Sequence, residues 1–389
     1  MSAAAMAADT NTPDAFQFFV ADRYWYDDNL FRVPEGVVND PSLSARKSLD
    51  DYVNRASAGV RVRLDQARQV FHADVRLDDV RYDQNDDLNY TGGNADLLWD
   101  WQFGKPLSGK LYGTFDRGQA PLNNYRFFAR DIVDTAVYGA ELRYAIGSRW
   151  RILAAGAATD TDHGAPERRL ENFESTSGIG GLEYATPAGT LIAFEYRFTN
   201  ADFPVAEQIA GAPRGYEERV PGMRFQYAFT EKTRLSLRGG YLDREYDNPV
   251  SEDYSGAIWN ATLQWDPRTK LGFDFKAWHD LRAYSDAESD YFVADGVSIT
   301  PKWRPRTKLE IAAALSYEKQ DYTGTSLLLT PIDEANREDT MRSALFTIDY
   351  SPRDLVSLGL AYRWIDRDSN REFRAYGVNV VSAELKLTF

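Results

Sequence analysis

The chain has 389 residues, a formal net charge of −14 and no cysteine, and 14% of it is aromatic. An acidic surplus of this size speaks against nucleic acid, whose phosphates need a basic face. The missing cysteine removes thiolate metal sites, c-type haem attachment and disulfides, and the aromatic content excludes a disordered chain.

Residues 1–12 (MSAAAMAADTNT) read as a flexible leader or the remnant of a secretory signal, because Ala-Met-Ala resembles the small-residue end of such a signal. From residue 13 to 389 the sequence reads as one unit. Apolar and polar side chains alternate with a period of two through GVRVRLD (59–65), ADLLWDWQF (95–103), LIAFEYRF (191–198) and GMRFQYAF (222–229). The pattern returns in AIWNATLQW (257–265), LGFDFKAW (271–278), LEIAAALSY (309–317), ALFTIDY (344–350) and LGLAYRW (358–364). The last segment, VVSAELKLTF, sets Val381, Ala383, Leu385, Leu387 and Phe389 on one parity and Ser382, Glu384, Lys386 and Thr388 on the other. About eighteen such strands fit, each of roughly the ten residues a tilted membrane-spanning strand needs. Helical periodicity is lacking, with only the 40s and the 330s able to hold a short helical turn. No run of about eighteen uncharged apolar residues occurs, so no transmembrane helix is expected.

The connections sharpen this. Short ones (LDQARQ, GKPLSG, IGSRW, ATPAGT, FTEKTR, WDPRTK, WRPRTK, YSPRDL) alternate with long, polar ones around 27–55, 118–134, 159–175, 200–218 and 321–340. Short periplasmic turns opposite long extracellular loops are the signature of an outer-membrane barrel, and an even strand number places both termini on the periplasmic side. FTEKTRLSL, WDPRTKLGF, WRPRTKLEI and YSPRDLVSL repeat one hairpin turn. Aromatics beside the short turns (Phe103, Tyr184, Phe229, Trp265, Trp303, Tyr350) form the expected interfacial girdle. The predicted fold class is therefore all-β, a transmembrane antiparallel up-and-down barrel in the outer membrane, in contact with lipid and lipopolysaccharide. A soluble all-β protein would not need one set of turns short and the other long.

The opposite parity carries charge. Arg61, Arg63, Asp74, Arg76, Asp96, Asp100, Asp116, Glu141, Arg143, Glu195, Arg197, Arg224, Arg238, Asp274, Lys276 and Arg363 are expected to line the lumen, as are Arg151, Glu183, Glu310, Asp349, Glu384 and Lys386. Charges at this density need water or partners, and a barrel of this size encloses water. Tyr112 and Trp278 are the candidate lumen aromatics. Catalysis finds no footing: His72, His163 and His279 are scattered, neither G-x-S-x-G nor H-E-x-x-H occurs, and TDTDH (159–163) offers at most a loose hold on Ca²⁺ or Mg²⁺. No enzyme activity, cofactor or resident metal is expected.

One stretch lies outside barrel physics. YWYDDNLFRVPEG (24–36) resembles the start of EpsL-type outer-membrane proteins of exopolysaccharide operons, a branch of the β-barrel porin 2-like families, through Asp28, Asn29, Leu30, Phe31, Arg32 and Pro34. The resemblance implies a porin that secretes an exopolysaccharide, receiving polymer cargo from a periplasmic polysaccharide-export protein. Sugars would stack on Tyr and Trp faces, while carboxylates and Arg bond hydroxyls. Asp28, Asn29, Leu30, Phe31 and Arg32 become candidates for a constriction if the loop folds inward. The terminal Phe389 likewise resembles the signal read by the barrel assembly machinery. A general or nutrient-uptake porin for small solutes, and a barrel that sheathes a partner protein, are the alternative functions.

Overall fold

A computed structural model describes residues 15–34, 46–122, 130–210, 214–248, 251–283, 291–323, 336–371 and 374–389. The leader assigned to residues 1–12 lies outside the described residues. The strands run in order as β1 (Phe16–Asp27), β2 (Asp51–Gln66), β3 (Gln69–Tyr82), β4 (Tyr90–Phe103), β5 (Leu107–Gln119) and β6 (Ile132–Ile146). They continue as β7 (Trp150–His163), β8 (Phe173–Ala185), β9 (Leu191–Asp202), β10 (Tyr216–Thr230), β11 (Thr233–Tyr246) and β12 (Tyr254–Arg268). The last third holds β13 (Leu271–Ala283), β14 (Tyr291–Arg306), β15 (Leu309–Thr323), β16 (Glu338–Arg353), β17 (Val356–Ser369) and β18 (Tyr376–Thr388). Each strand pairs with its sequence neighbours, and β18 returns to pair with β1, so one 18-stranded sheet closes on itself. Closure removes the unpaired edge that hydrocarbon would not tolerate.

At 12 to 16 residues the strands exceed the expected ten. The reason is visible on the outer face. Near the short turns that face is apolar, with Leu97, Phe194, Trp303, Leu360 and Leu385 exposed. Toward the long loops it becomes charged, through Arg81–Asp79, Arg117–Asp134, Arg219–Glu217 and Arg342–Asp366. The wall thus projects above the hydrocarbon band, whose height is roughly 25 Å.

Helical turns also sit elsewhere than expected: 3-10 turns at Asp86–Leu88 and Pro166–Glu171, and a short α1 at Pro204–Ala210. Pro166 and Pro204 each open their element at a position where a missing N–H costs nothing. Of the two stretches expected to hold a turn, residues 40–45 and 330–335 lie outside the described residues, and 46–49 and 336–339 hold no helix.

The repeated turn has a structural cause. β10, β12, β14 and β16 all shift register just before their short turns, at Ala228/Thr230, Trp265/Arg268, Trp303/Arg306 and Tyr350/Arg353. Pro267, Pro305 and Pro352 occupy the last three irregularities, where a ladder N–H is dispensable. Successive turns then interlock. Lys232, Lys270 and Lys308 donate from Nζ to the carbonyls of Pro267, Pro305 and Pro352, at 3.5, 2.9 and 3.0 Å.

Candidate functional site

Residues directly opposite in an antiparallel ladder share a face. Following the register around the barrel places all sixteen charged candidates on the face opposite the exposed apolar rows, which is the inside of the wall. Some meet one another. Arg61 donates to Asp74 at 2.6 Å, and Glu141 lies 2.5 Å from Arg143. Glu195 accepts from Arg224 at 2.9 Å and from Arg238 at 2.6 Å. Arg224 reaches on to Glu183, which is almost wholly buried, at 2.5 Å. Two carboxylates and two guanidiniums thus tie β8 to β11, and burial without this pairing would be prohibitive.

Others pair outside the candidate set. Arg63 takes Asp65, Arg76 takes Asp78, Asp274 takes Lys302, and Asp100 stands 3.9 Å from Lys110. Asp96 accepts from Asn94. Arg197, Lys276, Arg363 and Asp116 have no ion-pair partner within 4.0 Å among the described residues. The partners Asp78, Lys110 and Lys302 carry the same alternation and were legible by parity.

Tyr112 and Trp278 also lie on the inner face, opposite Gly139 and Gly296. Each ring covers its glycine: a Cβ on Gly139 would meet Tyr112 Oη at 2.5 Å, and one on Gly296 would meet Trp278 Cζ2 at 2.2 Å. Glycine is needed at both positions so that a ring can lie against the wall. Trp278 Nε1 donates to Glu318 at 2.8 Å, fixing the ring plane.

At the long-loop end, the chain after β1 folds inward. Leu30, Phe31 and Val33 are buried with Val53, Val80 and Tyr82, which face inward on β2 and β3, and with Leu88 of the first 3-10 turn. The polar residues of this segment hold it in place. Asp28 accepts from the backbone and side-chain nitrogens of Asn379, both at 2.7 Å. Asn29 donates to the carbonyls of Val33 and Gly377, and Arg32 forks onto Asp27. Asp51, fully buried, accepts the N–H groups of Asp83, Gln84 and Asn85 and so fixes the neighbouring loop. The β13–β14 hairpin also leaves the wall. Its pairing with β12 ends at Trp259↔His279, yet Tyr291 of β14 stacks on Tyr246 of β11, 6.3 Å between centroids. Three strand spacings of about 4.8 Å would separate them on an unbent wall, so the hairpin bends over the mouth.

Two buried polar clusters escaped sequence reasoning because each joins residues that lie about 30 positions or more apart in the chain, on strand ends and the turns beside them. Asp339 receives Arg337 and Arg367, all three nearly without solvent contact. Asp131, just before β6, lies 2.7 Å from His163 Nδ1, accepts the Ala165 N–H at 3.0 Å, and has Arg168 3.9 Å away. Burial pushes the Asp131 carboxyl up, but the His163 and Ala165 hydrogen bonds and the Arg168 charge outweigh it and hold it below the usual range. His279 pairs with Asp295 on the outer face and His72 lies near Arg63, so the histidines do not converge. Among the described residues, no group of three or more His, Asp or Glu side chains could hold a metal ion.

Phe389 closes the short-turn end. Its N–H donates to the Phe18 carbonyl at 2.7 Å and its carbonyl accepts from Phe18 at 3.0 Å, while the ring stays exposed at the rim.

A closed sheet with an apolar outer belt and a charged inner wall defines an outer-membrane β-barrel of porin type, resident in the outer membrane of a Gram-negative bacterium. The family described as "Putative beta-barrel porin 2" matches residues 207–389, just under half of the chain, from within α1 to the end of β18. Among solved structures the barrel is similar to OpdK of Pseudomonas aeruginosa, with 8% identity, 96% of this chain and 99% of that one covered, and a TM-score of 0.51. It is also similar to Pseudomonas aeruginosa OccK2 (OpdF) in complex with glucuronate, at 10% identity, 96% and 98% coverage and a TM-score of 0.51. Pseudomonas aeruginosa OpdQ follows at 12%, 96% and 97%, with a TM-score of 0.50. These likenesses are of fold. No curated protein matches the sequence.

Proposed function

We propose that the barrel is a passive channel for carbohydrate, and that its cargo is an exopolysaccharide leaving the cell. The observation that carries the carbohydrate reading is the pairing of Tyr112 and Trp278 with Gly139 and Gly296, which lays two rings against an otherwise charged, hydrated wall. A sugar ring stacks on such a face while carboxylates and guanidiniums around it exchange hydrogen bonds with hydroxyls. The outward direction, and a periplasmic export protein as the donor of polymer, rest on the resemblance of residues 24–36 to EpsL-type proteins. Uptake of small solutes is the second reading. It is favoured by the mouth, where the inward segment 28–34 and the bent β13–β14 hairpin leave less room for a polymer than a bare barrel would. OccK2 was solved with glucuronate, but at that identity the likeness reaches the fold and not the cargo.

The test combines conductance with a cell phenotype. Residues 28–34 are replaced by a Gly/Ser linker, and the barrel is measured in planar bilayers and in its own host. The expected result is an assembled barrel with altered conductance and reduced surface polysaccharide. Unchanged conductance with normal surface polysaccharide would refute export. Impaired growth on a small saccharide, with surface polymer intact, would transfer the assignment to uptake.

A further inference from the structure

The repeated turns do more than connect strands. In β12 the outward row reads Leu263, Trp265, and simple alternation would next bring Pro267 outward and turn Arg268 toward the lumen. The register shift changes that. Asp266 and Pro267 together oppose Gly272, and Arg268 falls opposite Leu271, which itself stands opposite the outward Trp303. Arg268 therefore joins the outer row directly below Trp265. The same happens twice more. Arg306 falls opposite Leu309, which faces Tyr350, and Arg353 falls opposite Val356, which faces Leu387. A bulge that re-aims one side chain is a known use of the device; here it is applied three times to the same residue type in the motif aromatic-x-Pro-Arg.

All three arginines are exposed, and among the described residues none has an ion-pair partner within 4.0 Å. Each lies beside an exposed interfacial aromatic: Trp265, Trp303 or Tyr350. Alternate hairpins set them about 10 Å apart along the rim. The interlocked lysines and prolines hold the three turns in fixed relation. Ordinary solubility would not require the parity switch, since an arginine in a periplasmic turn reaches water from either face.

We propose that Arg268, Arg306 and Arg353 form a row of binding sites for the phosphodiester headgroups of anionic phospholipids in the periplasmic leaflet. The planar guanidinium fork matches two phosphate oxygens, and the neighbouring ring sits at headgroup depth, where Trp and Tyr are favoured. The occupant is lipid rather than an acidic protein because the switch turns the arginines sideways, into the plane of the bilayer.

Native mass spectrometry of the purified full-length barrel, titrated with phosphatidylglycerol, tests this. The wild type is expected to retain up to three lipids more tightly than the variant R268Q/R306Q/R353Q, whose affinity at each of the three sites should fall about fivefold. The control R68Q/K105Q/R149Q, which removes three rim cations from turns without the shift, should keep wild-type binding. Unchanged retention in the first variant, or equal loss in both, would overturn the proposal. So would a first variant that keeps its lipid but sheds a periplasmic protein from the outer-membrane fraction. If the triple variant does not assemble, R306Q alone carries the test: one lipid fewer supports the row, and an unchanged count refutes it.

Discussion

Leu360 and Ala361 are neighbours in sequence and face opposite media. Leu360 stands opposite Ile348 and Ala383 in the outer row and is 56% exposed, whereas Ala361 stands opposite Thr347 and Ser382 inside. Leu360 is four residues above Val356, where β17 begins. With a rise of about 3.3 Å per residue and a tilt near 40°, that is roughly 10 Å above the turn, close to the middle of an apolar band about 25 Å tall. Leu360→Arg should then destabilise the barrel by about 2–4 kcal/mol, the range for a cation at that depth, or roughly 30- to 900-fold in the folding equilibrium. Ala361→Arg places the same charge in the hydrated lumen and should cost under about 1 kcal/mol, while shifting ion selectivity toward anions. Urea titrations in lipid vesicles, read by heat-modifiable gel mobility, give both numbers, and planar bilayers give the selectivity. Equal costs for the two variants would refute the assignment of faces, and with it the inward position of Arg363 two residues on.

Phe389→Asp, or deletion of Phe389, should leave the protein in the periplasm, degraded or aggregated; normal outer-membrane levels would remove the assembly role. Asp131→Asn should loosen the turn at Pro166–Glu171 and let trypsin cut after Arg168 or Arg169 in intact vesicles, where the wild type resists. Because the Asp131 carboxyl is held below its unfolded value, its contribution is complete above the ordinary carboxylate range and is lost as pH falls through the lowered value. Exchange of the Ala165 amide should therefore accelerate only in acid, beyond its intrinsic rate. Asp339→Ala leaves Arg337 and Arg367 buried without their carboxylate and should cost about 3–5 kcal/mol in the same urea titration; a loss under 1 kcal/mol would mean that water enters the cluster.

The wall was legible because its code is local. Alternation fixed which residues of each strand share a face, and every inward charge named from parity is on the inner face. Choice of partner was not legible. Arg76 stands opposite Gly59 and Asn94, yet its guanidinium takes Asp78, two residues along the same strand, since long side chains lean along a tilted strand. The burial of Leu30 and Phe31 followed from their being apolar in a loop. The bonds of Asp28 and Asn29 did not follow, because Asn379 and Gly377 become neighbours only when β18 closes on β1. The arginine row shows a third case: the repeat was plain, but the parity switch depends on a bulge that no alternation rule reports.

The closing seam is where these limits have an energetic consequence. β1 pairs with β2 over twelve residues but with β18 over nine, and the β18 contacts join residues more than 350 positions apart, so loop closure must precede any gain from them. Each end of the seam carries an added fastening: Phe18 with Phe389 at the periplasmic rim and Asp28 with Asn379 at the mouth. Asp28→Ala removes two hydrogen bonds to a carboxylate and should cost about 1.5–3 kcal/mol for each, felt only at the extracellular end. Asp28→Asn keeps an acceptor for the Asn379 N–H and should lose about half as much. Hydrogen exchange should report faster amides over Asn379–Val381 in Asp28→Ala, with the amides near Phe389 unchanged. Uniform acceleration along β18 would mean that the seam opens as one unit, and that Asp28 contributes to closing the whole barrel rather than to pinning its mouth.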